Sequence, residues 1–200
     1  VSDKKILELE KATKQPELQQ LKKQINPHFL FNMLNNANIL VKDAPDEASQ
    51  ILEKLDNLLR YQLNDSTRRE VFLTADIQFL TSFLELEKVR RDHFEYTIFQ
   101  EGNMENICIP PLLFIPFVEN AVKHNLDSDN LSYVHLYFSV HNKQLTFRCE
   151  NSKPRVPVKR EGGIGLANVK RRLDLLYESR YTLQIEDKET TYNVNLHLNL

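Results

Sequence analysis

The sequence predicts an α+β protein, an N-terminal helical hairpin followed by a sandwich of helices on a mostly antiparallel sheet. Three observations point there. Apolar residues recur at three- and four-residue steps from Leu18 to about residue 91. From Phe94 onward, runs rich in β-branched and aromatic residues alternate with two shorter helical runs. Three of the chain's four glycines fall between 162 and 165, directly ahead of the second of those helical runs.

The elements follow in order. Residues 3–14 are charged, with Ile6, Leu7 and Leu9 as apolar positions, and read as the end of a coiled-coil connector, after which Pro16 either interrupts the helix or opens a new helical turn. A helical seam then runs through Leu18, Leu21, Ile25, His28, Asn32, Asn35 and Ile39, with Leu30, Leu34, Ala37 and Val41 on the other side. After the short break at Asp43–Asp46, a second helix over 46–64 shows Ala48, Ile51, Leu52, Leu55, Leu58 and Leu59 on one face. So short a break makes an antiparallel hairpin, and one hairpin leaves apolar surface uncovered; a second copy would complete a dimeric four-helix bundle. Asp65–Arg69 is a polar linker, which sets a boundary near residue 68 between a 1–68 hairpin and a 69–200 domain. A third helix is expected over 74–91 with Thr74 as its N-cap. Strands are expected at 94–99, 132–140, 143–150, 181–186 and 190–199, and helices at about 112–125 and 166–177.

Composition narrows the class. The 200 residues are 41% apolar and 27% charged, as in ordinary globular protein. A formal charge of −2 supplies no basic field for nucleic acid. No apolar run approaches the roughly 20 residues of a membrane span. The polar start at Val1–Lys5 is unlike a signal peptide and lacks an initiator Met, as in a fragment of a longer chain. Cys108 and Cys149 have no metal-like spacing and read as two reduced core thiols.

Three segments carry chemistry. In Gln24–Asn32, Pro27 removes a helical donor directly before His28, and the resulting kink would hold the imidazole at a fixed angle. A neutral imidazole is a competent nucleophile for a phosphoryl group near pH 7, and Asn32 lies one turn further on the same face. A lone histidine in such a seam is more often a hydrogen-bonded core residue. In Pro110–His124, the residues Glu119, Asn120, Lys123 and His124 fall on neighbouring turns of one helix. An acid, an amide, an ammonium and an imidazole suit a Mg²⁺–triphosphate site, or else make a solvated helix face. In Gly162–Val169, glycines ahead of a helix let backbone N–H groups reach phosphate, or form a flexible loop.

In this order the three segments resemble the LytS/YehU-like family of sensor histidine kinases, from about residue 18 to 199. Asn26-Pro27-His28-Phe29-Leu30-Phe31-Asn32 is similar to its phosphoacceptor motif, Pro116–His124 to its N box, and Gly162–Leu173 to its second glycine box. The resemblance implies a dimerisation and phosphotransfer hairpin followed by a Bergerat-fold, GHKL-type ATP-binding domain. It implies His28 as phosphoacceptor, Asn120 as Mg²⁺ ligand, and Glu119 acting near the γ-phosphate. It implies charge neutralisation by Lys123 and His124, with Gly163, Gly165 and Leu166 at the lid and phosphates. It also implies ATP and Mg²⁺ as cofactors, an aspartate on a response regulator as next acceptor, and upstream membrane-spanning segments that make this the cytoplasmic portion of a membrane protein.

The chain departs from the broader pattern in three ways. Phe29 rather than an acid follows His28, so a base must come from elsewhere, with Glu119 a candidate. The Asp-x-Gly adenine box is absent, and period two on the strand 145–151 turns Asn151 inward as its substitute. The segment 152–161 carries Lys153, Arg155, Lys159 and Arg160, a short basic lid or a solvated loop. Two other readings stand beside the kinase: a nucleotide-binding pseudokinase scaffold, and a GHKL ATPase clamp.

Overall fold

The computed structural model describes residues 27–127, 130–155 and 164–200. The connector at 3–14, Pro16 and the first part of the helical seam lie outside these residues, as do most of the basic segment and Gly162 and Gly163.

The hairpin is formed by α1 (Pro27–Leu40) and α2 (Pro45–Leu63). The second helix opens with Pro45 in its first turn and with Asp46 and Glu47 near its positive end, both favourable there. Its buried face is Ala48, Ile51, Leu55, Leu58 and Tyr61, and Met33 and Ala37 of α1 are buried with it. Leu52, expected inside, is instead 45% exposed, beside exposed Phe31, Leu34 and Ile39. Two helices bury only their facing stripes, so the apolar positions on the far sides remain at the surface.

A 3₁₀ turn at Asp65–Thr67 and a short strand β1 (Val71–Phe72) lead into α3 (Leu73–Arg90). Phe72, not Thr74, is the N-cap, and no side chain caps the helix. Thr74 falls inside the first turn because Leu73 N–H already bonds to Ile107 O at 2.8 Å. Ten residues of α3 are buried on more than one side, among them Leu73, Ile77, Leu80, Phe83, Leu84 and Leu86. It packs against the hairpin and against the sheet, and one continuous hydrophobic core runs from Met33 to Leu198.

The sheet is five-stranded, with β2 (Phe94–Gly102), β4 (Ser132–His141), β5 (Gln144–Ser152), β7 (Thr191–Asn199) and β6 (Tyr181–Asp187) side by side in that order. The first pair is parallel and the rest antiparallel. A separate two-stranded piece pairs β1 with β3 (Cys108–Ile109). There Ile109 points in and Cys108 out, so the expectation of two core thiols holds for Cys149 alone. Gly102 closes β2 at φ +89°, where a Cβ would lie 2.2 Å from Val140 O.

Helices α4 (Ile115–His124) and α5 (Ile164–Tyr177) join α3 on one face of the sheet. Strand alternation places Val134, Leu136 and Phe138 of β4, and Leu145, Phe147 and Cys149 of β5, beneath them. His135 and Arg148 are on the opposite, exposed face.

Candidate functional site

Helix α4 is held to the sheet by aromatic packing. Phe114 lies 4.6 Å from Phe147 and 5.3 Å from Phe138, and Phe117 lies 5.8 Å from Phe147 between ring centroids. With Phe117, Val118, Ala121 and Val122 committed to that contact, the helical period turns Pro116, Glu119, Asn120 and Lys123 away from the sheet. Glu119, Asn120 and His124 are half-buried and Lys123 is exposed, so the stripe grades from enclosed to open. Glu119 is pushed up to about 7 by burial. A carboxyl in that range gives up and takes protons near neutral pH.

Asn151 ends the row of inward-facing residues on β5, two positions beyond Cys149, and is 1% exposed. Its Nδ2 donates to Ser152 O at 2.8 Å, which turns the amide oxygen away from that carbonyl. Cys149 Sγ approaches Phe117 O at 4.0 Å, so this stretch of β5 lies directly under α4. Burial pushes the Cys149 thiol up to about 12, which leaves it protonated and inert.

The third group begins α5. Gly165 is in its first turn and Leu166 is half-buried on it, whereas Gly163 lies outside the described residues. His28 belongs to the first turn of α1, and Asn32 follows one turn later, half-buried. Of the basic segment, Lys153 Nζ is bound to Asp187 Oδ1 at 2.8 Å and to Lys188 O at 2.6 Å. That cation is therefore tethered to the β6–β7 end of the sheet rather than standing ready over α4.

Oxygen donors at Glu119 and Asn120 suit a hard cation. Among the described residues no group of three or more His, Cys, Asp or Glu forms a cage for a metal. A cation at Asn120 would therefore complete its shell with phosphate oxygens and water, as Mg²⁺ does on a nucleotide.

Residues 16–94 match the sequence profile of a family described as histidine kinase. The chain is also 30% identical over 203 residues to the sensor protein LytS of Staphylococcus haemolyticus, covering 94% of this chain and 35% of that protein. Over these residues the chain is similar to histidine kinases. The chain spans about a third of the length of that relative. In structure it resembles the histidine kinase domain of the blue-light activated kinase EL346 of Erythrobacter litoralis, with a TM-score of 0.51, 16% identity, and coverage of 94% of this chain and 93% of that one. The catalytic domain of histidine kinase ThkA matches 65% of this chain and 93% of its own, with a TM-score of 0.50 and 16% identity. At these identities the likeness is one of fold, and it bears out the α+β sandwich. No described helix is long and apolar enough to cross a membrane.

Around the candidate kinase site, two contacts had no motif to announce them. Arg91, just past α3, donates to Asn125 Oδ1 at 2.9 Å and to Ser132 Oγ at 2.6 Å, and covers the Phe94 ring at 4.6 Å. Asn125 directly follows α4, so Arg91 pins its end. The start of α4 is held from the other end of α3. Asp76 Oδ1 accepts from Leu112 N–H at 3.3 Å and from the Tyr61 hydroxyl, and Arg172 of α5 donates to Leu112 O and Pro111 O. The sequence did hold a signal for Asp76, a carboxylate at the helical spacing of Leu73, Leu80 and Phe83.

Proposed function

We propose that the chain is the phosphotransfer and catalytic part of a two-component sensor histidine kinase, which uses ATP and Mg²⁺ to phosphorylate its own His28 and passes the group to an aspartate of a response regulator. The observation that carries this reading is the stripe of Glu119, Asn120, Lys123 and His124 on a helix fixed to the sheet, in a chain whose acceptor segment matches the histidine kinase profile. The division of labour follows the linker: residues 1–68 carry the acceptor and residues 69–200 bind nucleotide. The apolar residues left on the hairpin surface fit a homodimer. The full protein is anchored in the membrane by segments upstream, with this portion in the cytoplasm.

Phosphoryl transfer needs positioning and charge neutralisation more than covalent help. A Mg²⁺ on the Asn120 amide oxygen would supply positive charge to the phosphate oxygens. Lys123 and His124 add charge from the same face. Gly163, Gly165 and Leu166 would offer backbone donors to the phosphates ahead of and within the first turn of α5. Buried Asn151 receives the adenine edge, with its amide oxygen accepting from the exocyclic amine. Asn32 orients the His28 ring. As a ring nitrogen of His28 bonds to the γ-phosphorus, the bond to the β–γ bridging oxygen breaks and ADP leaves. Glu119, with its proton affinity raised by burial, takes the ring proton.

The test is incubation with Mg²⁺ and γ-labelled ATP beside a His28→Gln variant. Acid-labile, alkali-stable label on the parent and none on the variant is the expected result. Phosphate released without any label on the protein would make the chain a GHKL clamp, and weak nucleotide binding with neither label nor released phosphate would make it a pseudokinase scaffold.

A further inference from the structure

Four elements meet at the backbone of Leu112. This residue lies three positions before α4, at φ +56°, in the left-handed region that a leucine rarely adopts. Such a conformation is strained for a leucine and persists only where the surroundings impose it. Here both of its polar groups are captured. Its N–H goes to Asp76 of α3, and its carbonyl to Arg172 of α5, which also holds Pro111 O. Asp76 in turn takes the hydroxyl of Tyr61 from α2. The Tyr61 ring stacks on Phe79 of α3 with centroids 4.5 Å apart, so its hydroxyl is aimed by packing.

This cluster is costly for a core. Asp76 is fully buried and Arg172 is 5% exposed, while Asp76 Oδ2 and Arg172 Nε find no hydrogen-bond partner among the described residues. A packed leucine at 76 would avoid the desolvation of a carboxylate. What an apolar contact cannot supply is direction: leucines on facing helices slide past each other, whereas a hydroxyl–carboxylate bond in a dry site holds one alignment. Lys54 and Glu85, 2.9 Å apart, mark the other end of the same α2–α3 contact but are partly in water.

We infer that Tyr61 is a positioning residue for phosphoryl transfer, the hairpin end of a strut that runs through Asp76 and Leu112 to the start of α4. The inference rests on the reading of α1–α2 as the acceptor hairpin and α4 as the Mg²⁺–nucleotide helix. The strut sets where α4 stands relative to the helix pair that carries His28. A rotation of the hairpin moves Tyr61, and Asp76 relays that movement to strained Leu112 before α4.

The test is Tyr61→Phe, which removes one oxygen and keeps the ring on Phe79. The expected KM for Mg²⁺–ATP and the affinity for a fluorescent nucleotide stay within about two-fold of the parent, while kcat for self-labelling falls about 10-fold or more, since sub-ångström misplacement acts on transfer rather than binding. Asp76→Asn, which retains an acceptor for both donors, keeps most of the parental kcat, and Asp76→Leu does not. Nitroxide labels at Glu53 and Gln184, in a Cys108→Ser background diluted with unlabelled chain, read the alignment itself. The parent gives one narrow distance distribution and Tyr61→Phe a broad one. Parental kcat in Tyr61→Phe, equal losses in affinity and kcat, or identical distance distributions would overturn the inference. The distance measurement does not depend on labelling, so a parent that takes no phosphate yet shows the narrow-to-broad change would sink the kinase reading and leave the strut standing.

Discussion

Arg91 Nη1 and Asn125 Oδ1 lie 2.9 Å apart, and through this contact the end of α3 holds the end of α4. Asn125 is fully buried and passes its own Nδ2 to Tyr133 O at 3.0 Å, so the guanidinium completes a chain from helix to helix to strand. Arg91→Ala should destabilise the fold by about 2–4 kcal/mol, because it strands a buried amide oxygen as well as deleting the bonds. Urea unfolding of the two proteins at one pH measures this directly.

Phe147 touches Phe114, Phe117 and Phe138, the rings that seat α4 on β4 and β5. Phe147→Ala should cost about 3–5 kcal/mol, the range for deleting a fully buried aromatic side chain. Phe147→Leu should recover more than half of that. If the alanine variant unfolds at the parental denaturant midpoint, α4 is not anchored by this cluster.

Asp76 is raised to about 6 from its ordinary 3.8, chiefly by burial, against the lowering effects of the Tyr61 and Leu112 hydrogen bonds and the Arg172 charge. The folded state therefore holds the proton more tightly than the unfolded chain. Stability from this group is complete below about pH 4 and is lost as pH rises through about 6. Tyr61 is itself pushed up by burial and by Asp76, and Arg172, lowered to about 10, stays charged throughout the window. Between pH 4 and pH 7 the Asp76→Asn variant should gain on the parent by on the order of 3 kcal/mol. Parallel stability-versus-pH curves for the two proteins would refute the assignment.

Phe31 is 70% and Ile39 62% exposed on α1. If a second copy covers them, Phe31→Glu with Ile39→Lys removes apolar burial on both sides of a two-fold interface and should weaken the dimer about 100-fold or more. Sedimentation velocity over a concentration series reads the shift. A parent that sediments as a monomer at every concentration would remove the dimer from the proposal.

Much of the layout is legible in the order of residues. The α2 stripe of Ala48, Ile51, Leu55 and Leu58 is buried as its period indicates, and β5 turns Phe147, Cys149 and Asn151 inward by simple alternation. The α4 stripe is equally plain, since Glu119, Asn120 and Lys123 are what remain when the apolar side of the helix is seated. Leu52 and Cys108 were misplaced for a shared reason. Both are apolar enough for a core, but whether a partner surface reaches them depends on where other elements pack. The short β1–β3 pair escaped because two residues are too few for any period to register.

The sequence by itself determined the helical hairpin, the strand set and the chemistry-bearing stripe, because each depends on neighbours within one or two turns or one strand. Only the tertiary structure decided that Tyr61, Asp76, Leu112 and Arg172 share one buried cluster, with hydrogen-bonded pairs 15, 36 and 60 positions apart in the chain. Periodicity reports which face of an element is buried. It carries no information about which distant polar group will meet that face, since a hydrogen bond in a dry core is selected by the packing of whole elements and not by the residues adjacent in sequence.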